Sequence, residues 1–121
     1  MKLHQAVAGG NTFTGYGANY VAVNGARRET NSIVLVDRIL DWHVAGFDAL
    51  EPEDFAVFET LGVEIVLLGT GNRQRFPHPR LTAALARAGI GVEVMDVQAA
   101  CRTYNILVVE ERKVAAALLF G

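Results

Sequence analysis

VEIVLLGTGNRQRFPHPRLTAALARAGIGVEVMDVQAACRTYNIL, residues 63–107, is the stretch that decides the fold. Its opening residues are almost all apolar, which predicts a buried strand over Val63–Leu68. A helix is predicted to begin at Pro79 and to end at Gly89, because proline suits a first helical turn and glycine a left-handed cap. Gly91–Met95 is the next predicted strand. Strand, helix and strand in this order predict one βαβ unit with two parallel, neighbouring strands.

A further helix is predicted to follow Asp96. The carboxylate of Asp96 can accept hydrogen bonds from the free N–H groups of a first helical turn. Apolar side chains then recur at the spacing of one buried helix face; they are Val97, Ala100, Cys101, Tyr104 and Val108. A buried Tyr104 needs a hydrogen-bond partner for its hydroxyl. Val114–Phe120 supplies a last apolar strand.

The residues before this stretch predict short strands and one more helix. Asn24-Gly25 tolerates the positive φ angles of a two-residue turn and predicts a β-hairpin over residues 20–31. A helix is predicted from Pro52 to Leu61, because acidic residues occupy its first turn and apolar residues recur every three positions. The other predicted strands are Thr12–Tyr16, Ser32–Val36 and Ile39–Val44, with Trp42 facing inward.

Length and composition predict one domain over residues 1–121. Of the 121 residues, 51% are hydrophobic, which is enough to fill a single core. The net charge of −2 lacks the basic excess of a nucleic-acid-binding protein, so we expect no nucleic-acid partner. No apolar run reaches the ~20 residues of a membrane-spanning helix, so we expect no transmembrane segment. The single cysteine excludes an internal disulfide and favours a reducing compartment.

The charges are separated along the chain. Residues 37–64 contain eight acids and one arginine, whereas residues 73–87 contain four arginines and no acid. Two interpretations are open. The charges could form two solvated faces or an internal seam of salt bridges, or the basic segment could attract an anion or dock a partner. That patch would consist of Arg73, Arg75, His78 and Arg80.

The turn Gly69–Arg73 is the candidate ligand site. It lies at the carboxyl end of a predicted parallel strand, where open α/β sheets bind ligands, and its N–H groups could hold an anion. The phosphate-binding signatures are incomplete, since no Gly-Lys-Ser/Thr follows and no third glycine stands at the dinucleotide spacing. A tight strand-exit turn and a small-anion or small-molecule site both remain open. The candidate ligand-binding or partner-binding residues are Gly69, Thr70, Gly71, Asn72, Arg73, Arg75, Arg102 and Asn105, with Asn105 on the polar side of its helix.

The sequence predicts no catalytic residue, metal site or cofactor. Cys101 lies near the start of a helix and could be a nucleophile, but its periodicity places it on the core face, where a thiol acts as a small hydrophobe. His4, His43 and His78 lie in separate elements without a metal-binding spacing. We therefore expect a protein without enzymatic activity.

Four segments together carry a family resemblance. They are Gly69-Thr70-Gly71 after a buried strand, Met95-Asp96, the run ACRTYNIL at residues 100–107 and AAALL at residues 115–119. The chain resembles the Mth938-like domain family, small proteins related to mitochondrial complex I assembly factor 3, over nearly its whole length. The resemblance implies an α/β (α+β) domain of three layers, with a central mixed sheet, N-terminal β-hairpins and a last strand antiparallel to its neighbours.

The resemblance also implies a non-catalytic role, since the mitochondrial relatives assist assembly of a respiratory membrane complex and the role of prokaryotic members is largely unknown. Because the chain shows no presequence, we expect a bacterial, cytoplasmic protein; the alternative is the mitochondrial matrix if a presequence has been removed. Two functions remain open. The first is a protein-interaction or assembly-factor-like domain with an unidentified protein partner, and the second is a small-molecule-binding or anion-binding domain, with or without enzymatic activity, at Gly69–Arg73.

Overall fold

The computed structural model describes residues 10–120, which form eight strands, two α-helices and two 3₁₀ helices. The strands are β1 (Phe13–Tyr16), β2 (Val21–Val23), β3 (Ala26–Arg28), β4 (Ser32–Val34), β5 (Ile39–Asp41), β6 (Ile65–Thr70), β7 (Gly91–Met95) and β8 (Val114–Leu119). The α-helices are α1 (Pro79–Arg87) and α2 (Val97–Val109), and the 3₁₀ helices are Phe47–Ala49 and Pro52–Thr60.

Five strands form a central mixed sheet in the order β5-β4-β8-β6-β7. β6 has two parallel neighbours, β7 and β8, whereas β4 is antiparallel to both β5 and β8. The predicted parallel pairing of the strands that flank α1 is confirmed, with Ile65 opposite Gly91 and Gly69 opposite Met95. The carboxyl ends of β6 and β7 therefore lie side by side.

The last strand departs from the expectation. β8 is antiparallel to β4, but it is parallel to β6, its other neighbour. The reason is α2, whose 13 residues carry the chain from the carboxyl end of β7 back to the amino end of β8, on the far side of β6, so that β8 runs in the same direction as β7. The fold contains two βαβ crossovers where the sequence predicted one.

A separate antiparallel sheet of β1, β2 and β3 lies beside α2. Asn24 and Gly25 form the predicted hairpin turn, with φ angles of 50° and 84°. This small sheet and α2 cover one face of the central sheet, because side chains from all three pack into one apolar cluster that includes Phe13, Leu67 and Tyr104. The Phe13 and Tyr104 rings meet edge-on, with centroids 5.0 Å apart.

The other face of the central sheet is covered by α1 and the 3₁₀ helix Pro52–Thr60. A helix was predicted here, and its 3₁₀ form suits the three-residue spacing of the buried Phe55 and Phe58. Both rings lie 5.8 Å from the Trp42 ring, which is buried as predicted. The three-layer architecture with a central mixed sheet is thus confirmed.

The α2 helix forms as the sequence predicts. The Asp96 Oδ1 atom accepts the Ala99 N–H at 2.8 Å and caps the first turn. The predicted apolar face is buried throughout. Within residues 10–120, no helix is both long enough and apolar enough to cross a membrane.

Candidate functional site

The turn after β6 is organised by the buried hydroxyl of Thr70. Its Oγ1 atom donates to the Arg73 carbonyl at 2.7 Å and accepts the backbone N–H of Arg75 at 2.9 Å. Gly71, with a φ of 83°, lies between them and reverses the chain. The same hydroxyl also lies 3.3 Å from the Met95 carbonyl of β7, so its hydrogen-bond partners lie within the protein.

Two long side chains also hold this turn in place through hydrogen bonds to main-chain carbonyls. The Nε and Nη2 atoms of Arg75 donate to the Thr70 carbonyl at 3.2 and 2.9 Å, and its Cζ atom lies 4.7 Å from the Phe47 ring centroid. The Gln74 side-chain amide donates to the Val94 carbonyl at 2.8 Å, which ties the turn to β7. Arg75, a candidate ligand-binding residue, thus stabilises the conformation of the loop.

Gly69 allows α2 to approach β6 closely. A Cβ atom at this position would lie 3.3 Å from the Cα atom of Val97, tighter than most carbon contacts. The Gly71 carbonyl accepts the Val97 N–H at 2.9 Å, and the Asp96 carboxylate caps the same helix end. Because these N–H groups at the start of α2 are bonded within the protein, they are not available to cradle an anion.

Asn105 does not lie on the polar side of α2, which corrects the sequence interpretation. It is 9% exposed, and its side chain holds the main chain of Phe13. The Asn105 Oδ1 atom accepts the Phe13 N–H at 3.0 Å, while Nδ2 donates to the Phe13 carbonyl at 2.8 Å. Asn105 thus joins α2 to β1 through its side-chain hydrogen bonds.

Arg102 is exposed and reaches toward the small sheet. Its Nη1 atom donates to the Tyr16 hydroxyl at 3.0 Å, and its Cζ atom lies 5.9 Å from the centroid of the same ring. Arg102 therefore stays on the polar side of α2, as predicted. Its contact is with β1, and the two predicted pocket residues of α2 belong to a junction between α2 and β1.

The outward part of the turn is the basic loop, which we define as residues 71–80 (GNRQRFPHPR). Phe76 is 72% exposed, more than any other large hydrophobic side chain among residues 10–120. Asn72, Arg73 and Arg80 are exposed in the same loop. His78 caps α1, with its Nδ1 atom accepting the Arg80 N–H at 3.0 Å. A loop held by side-chain hydrogen bonds thus presents one aromatic ring and two guanidinium groups.

Cys101 lies in the core and has the chemistry of an inert thiol. Its side chain is 0% exposed, and burial raises the pKa of the thiol from its ordinary value of 9.0 to about 12. At neutral pH the sulfur is therefore protonated and not nucleophilic. Tyr104, its neighbour on the same helix face, donates its hydroxyl to the Asn11 carbonyl at 2.9 Å, as the sequence required.

Two cavities described in the structure lie away from the basic loop. An open groove of about 670 Å³ is lined by residues 30–31 and 41–45, where β5 ends. A smaller cavity of about 190 Å³ is lined by residues 35–37, 61–63 and 112–114. Among residues 10–120, no group of three or more His, Cys, Asp and Glu side chains is arranged to hold a metal ion.

Phe76 was not among the predicted site residues. Its signal was present, because Phe76 stands alone between Arg75 and Pro77 in a segment without helical or strand periodicity. An apolar residue outside any periodic pattern has no core face to occupy. Ile106 and Val109 were overlooked in the same way, since they lie outside the predicted buried face of α2 and are 59% and 56% exposed.

Comparison with models of protein families matches residues 13–119 to one family, described as "Protein of unknown function (DUF498/DUF598)". The chain is also similar to NADH dehydrogenase (ubiquinone) 1 alpha subcomplex assembly factor 3 of Bos taurus, with 35% identity over 106 residues. That match covers 86% of this chain and 58% of the bovine protein, so the chain spans less than two thirds of that relative's length.

Two solved structures of Bordetella proteins share the fold. A crystal structure of a Bordetella parapertussis protein is 36% identical with a TM-score of 0.88, and the match covers 95% of this chain and 99% of that chain. A solution structure from Bordetella pertussis, described as a Mth938-like domain, is 32% identical with a TM-score of 0.81. That match covers 98% of this chain and 92% of the other. These likenesses confirm the three-layer fold and the predicted family resemblance.

Proposed function

The chain belongs to the DUF498/DUF598 family of proteins of unknown function, and we propose that within it this protein is a non-catalytic, assembly-factor-like domain that holds a protein partner through its basic loop. The observation that carries the proposal is Phe76, a large apolar ring that is 72% exposed between arginines. Aromatic and arginine side chains are enriched where protein interfaces concentrate their binding energy.

The loop that carries Phe76 is already ordered by contacts within the protein. The Thr70 hydroxyl and the Arg75 guanidinium fix its backbone at one end, and the His78 cap fixes it at the other. A partner would therefore not have to order this loop on binding, which lowers the entropic cost of association. Preorganisation of this kind supports a docking role for the loop.

Charge defines the chemistry of the proposed partner. Four arginines and no acid lie within residues 73–87, and Arg73, Arg80 and Arg87 are exposed. The complementary surface is acidic around an apolar pocket that receives the Phe76 ring. We expect association to slow as salt concentration rises, because charge complementarity acts mainly through the rate of encounter.

A respiratory NADH dehydrogenase is the proposed setting. The bovine relative is named as an assembly factor of such a complex, and we extend that role to this chain as part of the proposal. The partner would be a subunit of the complex or another factor that acts on it. We further propose that the protein works in the bacterial cytoplasm, which cell fractionation of the native host would test.

Affinity capture from native lysate tests the docking proposal. Wild type is compared with Arg73→Glu and with Phe76→Ser, two changes at exposed positions of the basic loop. We expect both variants to lose the captured protein, and mass spectrometry to identify a component of the respiratory complex. Arg38→Glu is the matched control, because Arg38 is exposed and lies in the acidic segment.

Several outcomes would contradict the proposal. A partner retained equally by all variants would place docking elsewhere on the surface. Recovery of a co-purifying small anion in place of a protein would favour the ligand-binding alternative at Gly69–Arg73. Circular dichroism and thermal unfolding of each variant show whether a loss of binding reflects a loss of fold.

A further inference from the structure

The outer face of α2 exposes two large hydrophobic side chains. Ile106 and Val109 are 59% and 56% exposed, and they lie three residues apart, which places them side by side on the helix. This face points away from the central sheet, since the opposite face of α2 carries the buried Cys101 and Tyr104. The outer face therefore offers an apolar centre that no described element of the chain covers.

Side chains of opposite charge lie at equal distances before and after Ile106 along the helix. Arg102 lies four residues before Ile106 and Glu110 lies four residues after it, and both are exposed. Thr103 and Val109 lie three residues to either side. At these spacings all five side chains share one face of the helix. The face thus runs from a cation through an apolar centre to an anion.

We propose that this face binds a second copy of the chain, with the two α2 helices antiparallel about a two-fold axis at Ile106. In an antiparallel pair, a residue four positions before the axis faces the residue four positions after it on the other helix. Arg102 of each copy would therefore face Glu110 of the other, and Ile106 would pack against its own counterpart. A two-fold interface must be self-complementary in this way.

Arg102 is already oriented for such a pairing. Its Nη1 atom donates to the Tyr16 hydroxyl at 3.0 Å, which leaves further N–H donors of the guanidinium group to meet a carboxylate. Glu110 is exposed at the C-terminal end of α2. Pairing Glu110 with a cation also removes the unfavourable contact of its negative charge with the negative end of the helix dipole.

The charges argue for a second copy over an unrelated partner. An unrelated protein needs one complementary patch, but it does not require opposite charges at equal distances on either side of an apolar centre. Formation of the dimer also leaves the basic loop free, because Ile106 lies about 13 Å along the helix from Val97, where the basic loop meets α2. The dimer can therefore form whether or not a partner is bound at Phe76.

One helix face is small for a protein interface, so we expect a dimer in exchange with monomer at micromolar concentrations. Sedimentation equilibrium of the full chain, from low micromolar to submillimolar concentration, measures the dissociation constant. Arg102→Glu or Glu110→Arg alone places like charges opposite each other twice per dimer, and should weaken the dimer at least about tenfold. The double variant Arg102→Glu/Glu110→Arg should restore the wild-type constant, while Arg73→Glu should leave it unchanged.

Disulfide trapping provides a second measurement that does not depend on affinity. Ile106→Cys lies on the proposed axis and should form a covalent dimer when treated with diamide. Ala86→Cys, at an exposed position of α1 in the opposite layer, is the matched control and should stay monomeric. The native Cys101 is buried, so we expect it to form no cross-link in either variant.

The proposal would be overturned by a chain that stays monomeric at every concentration, or by a dimer that the charge reversals leave unchanged. The proposal would also be overturned if the wild-type chain is a monomer that captures an unrelated protein from lysate and the Ile106→Glu variant no longer captures it. Failure of these tests would leave the basic-loop proposal standing, since no variant except the Arg73→Glu control touches that loop.

Discussion

The side chain of Asn105 forms two hydrogen bonds with the main chain of Phe13, a residue 92 positions earlier in the chain. It accepts the Phe13 N–H at 3.0 Å and donates to the Phe13 carbonyl at 2.8 Å. An amide presents one acceptor and two donors on a planar group, so it can take the place of a neighbouring strand on the side of β1 where residues 10–120 provide none. The small sheet is thereby attached to α2.

We predict that Asn105→Ala lowers the free energy of unfolding by about 2–4 kcal/mol, because it leaves a buried N–H and a buried carbonyl of Phe13 without partners. Asn105→Asp should also destabilise, since a carboxylate can accept the N–H but cannot donate to the carbonyl. Urea denaturation followed by circular dichroism measures both changes. Asn72→Ala, at an exposed position, should leave the unfolding midpoint where it is.

Gly69→Ala should destabilise the protein by about 1–3 kcal/mol, the usual cost of overpacking a core. The added Cβ atom would lie 2.9 Å from Leu118 Cδ2 and 3.3 Å from Val97 Cα, so α2 must move away from β6. Gly91→Ala is the matched control, because its Cβ atom meets only the Glu64 carbonyl, at 3.8 Å. Equal thermal unfolding of the two variants would disprove the close-approach role of Gly69.

Two arginines of the basic loop should behave differently. Arg75→Ala removes two hydrogen bonds to the Thr70 carbonyl and the contact with Phe47, and should lower the free energy of unfolding by about 1–2 kcal/mol. Arg73→Ala, at an exposed position, should change it by less than about 0.5 kcal/mol. Chemical denaturation distinguishes the two. A substitution of Arg73 would then alter the binding of the proposed partner without altering the stability of the fold.

Stability should fall at alkaline pH in part because of Cys101. Burial raises the pKa of its thiol from 9.0 to about 12, so between these values the unfolded chain loses the proton while the folded chain keeps it. The folded state binds more protons in this window, and stability therefore falls as pH rises, by up to about 1.4 kcal/mol per pH unit for this group. Burial also raises the pKa of Tyr104, which acts in the same direction.

Urea denaturation between pH 8 and pH 11 tests this, with Cys101→Ala as the comparison. The variant should show a shallower loss of stability above pH 9, and parallel curves would contradict the assignment to Cys101. Alkylation gives a second check, because iodoacetamide at pH 8 should label the thiol in urea but scarcely in the folded protein. Rapid labelling of the folded chain would mean that Cys101 is reactive after all.

Local patterns predicted most of the elements. Gly91–Met95 was predicted with the bounds that β7 has, Asp96 was predicted to cap α2, and Asn24-Gly25 was predicted to turn the hairpin. Each of these depends on neighbours within a few residues, where backbone geometry and side-chain periodicity act directly. The buried face of α2 was predicted for the same reason, and its periodicity correctly placed Cys101 in the core.

The two features that were predicted incorrectly, the side of α2 on which Asn105 lies and the direction of β8, depend on distant partners. The amide of Asn105 was assigned to a polar face, yet it is buried because β1 brings Phe13 against it. The direction of β8 relative to β6 was also missed, since it follows from the return path of α2 across the sheet. Periodicity distinguishes a buried side from an exposed side, but it does not identify the element that lies there.

By itself the sequence determined the strands and helices, the buried face of α2 and the family, because these depend on the spacing of residues that are close in the sequence and on contiguous motifs. Only the tertiary structure decided what the polar residues near the turn do. Thr70 and Arg75 bond within the loop, while Phe76, Ile106 and Val109 are left on the surface. Whether a side chain finds a partner depends on which segments the folded chain brings within hydrogen-bonding distance, and segments far apart in sequence meet only in the completed fold.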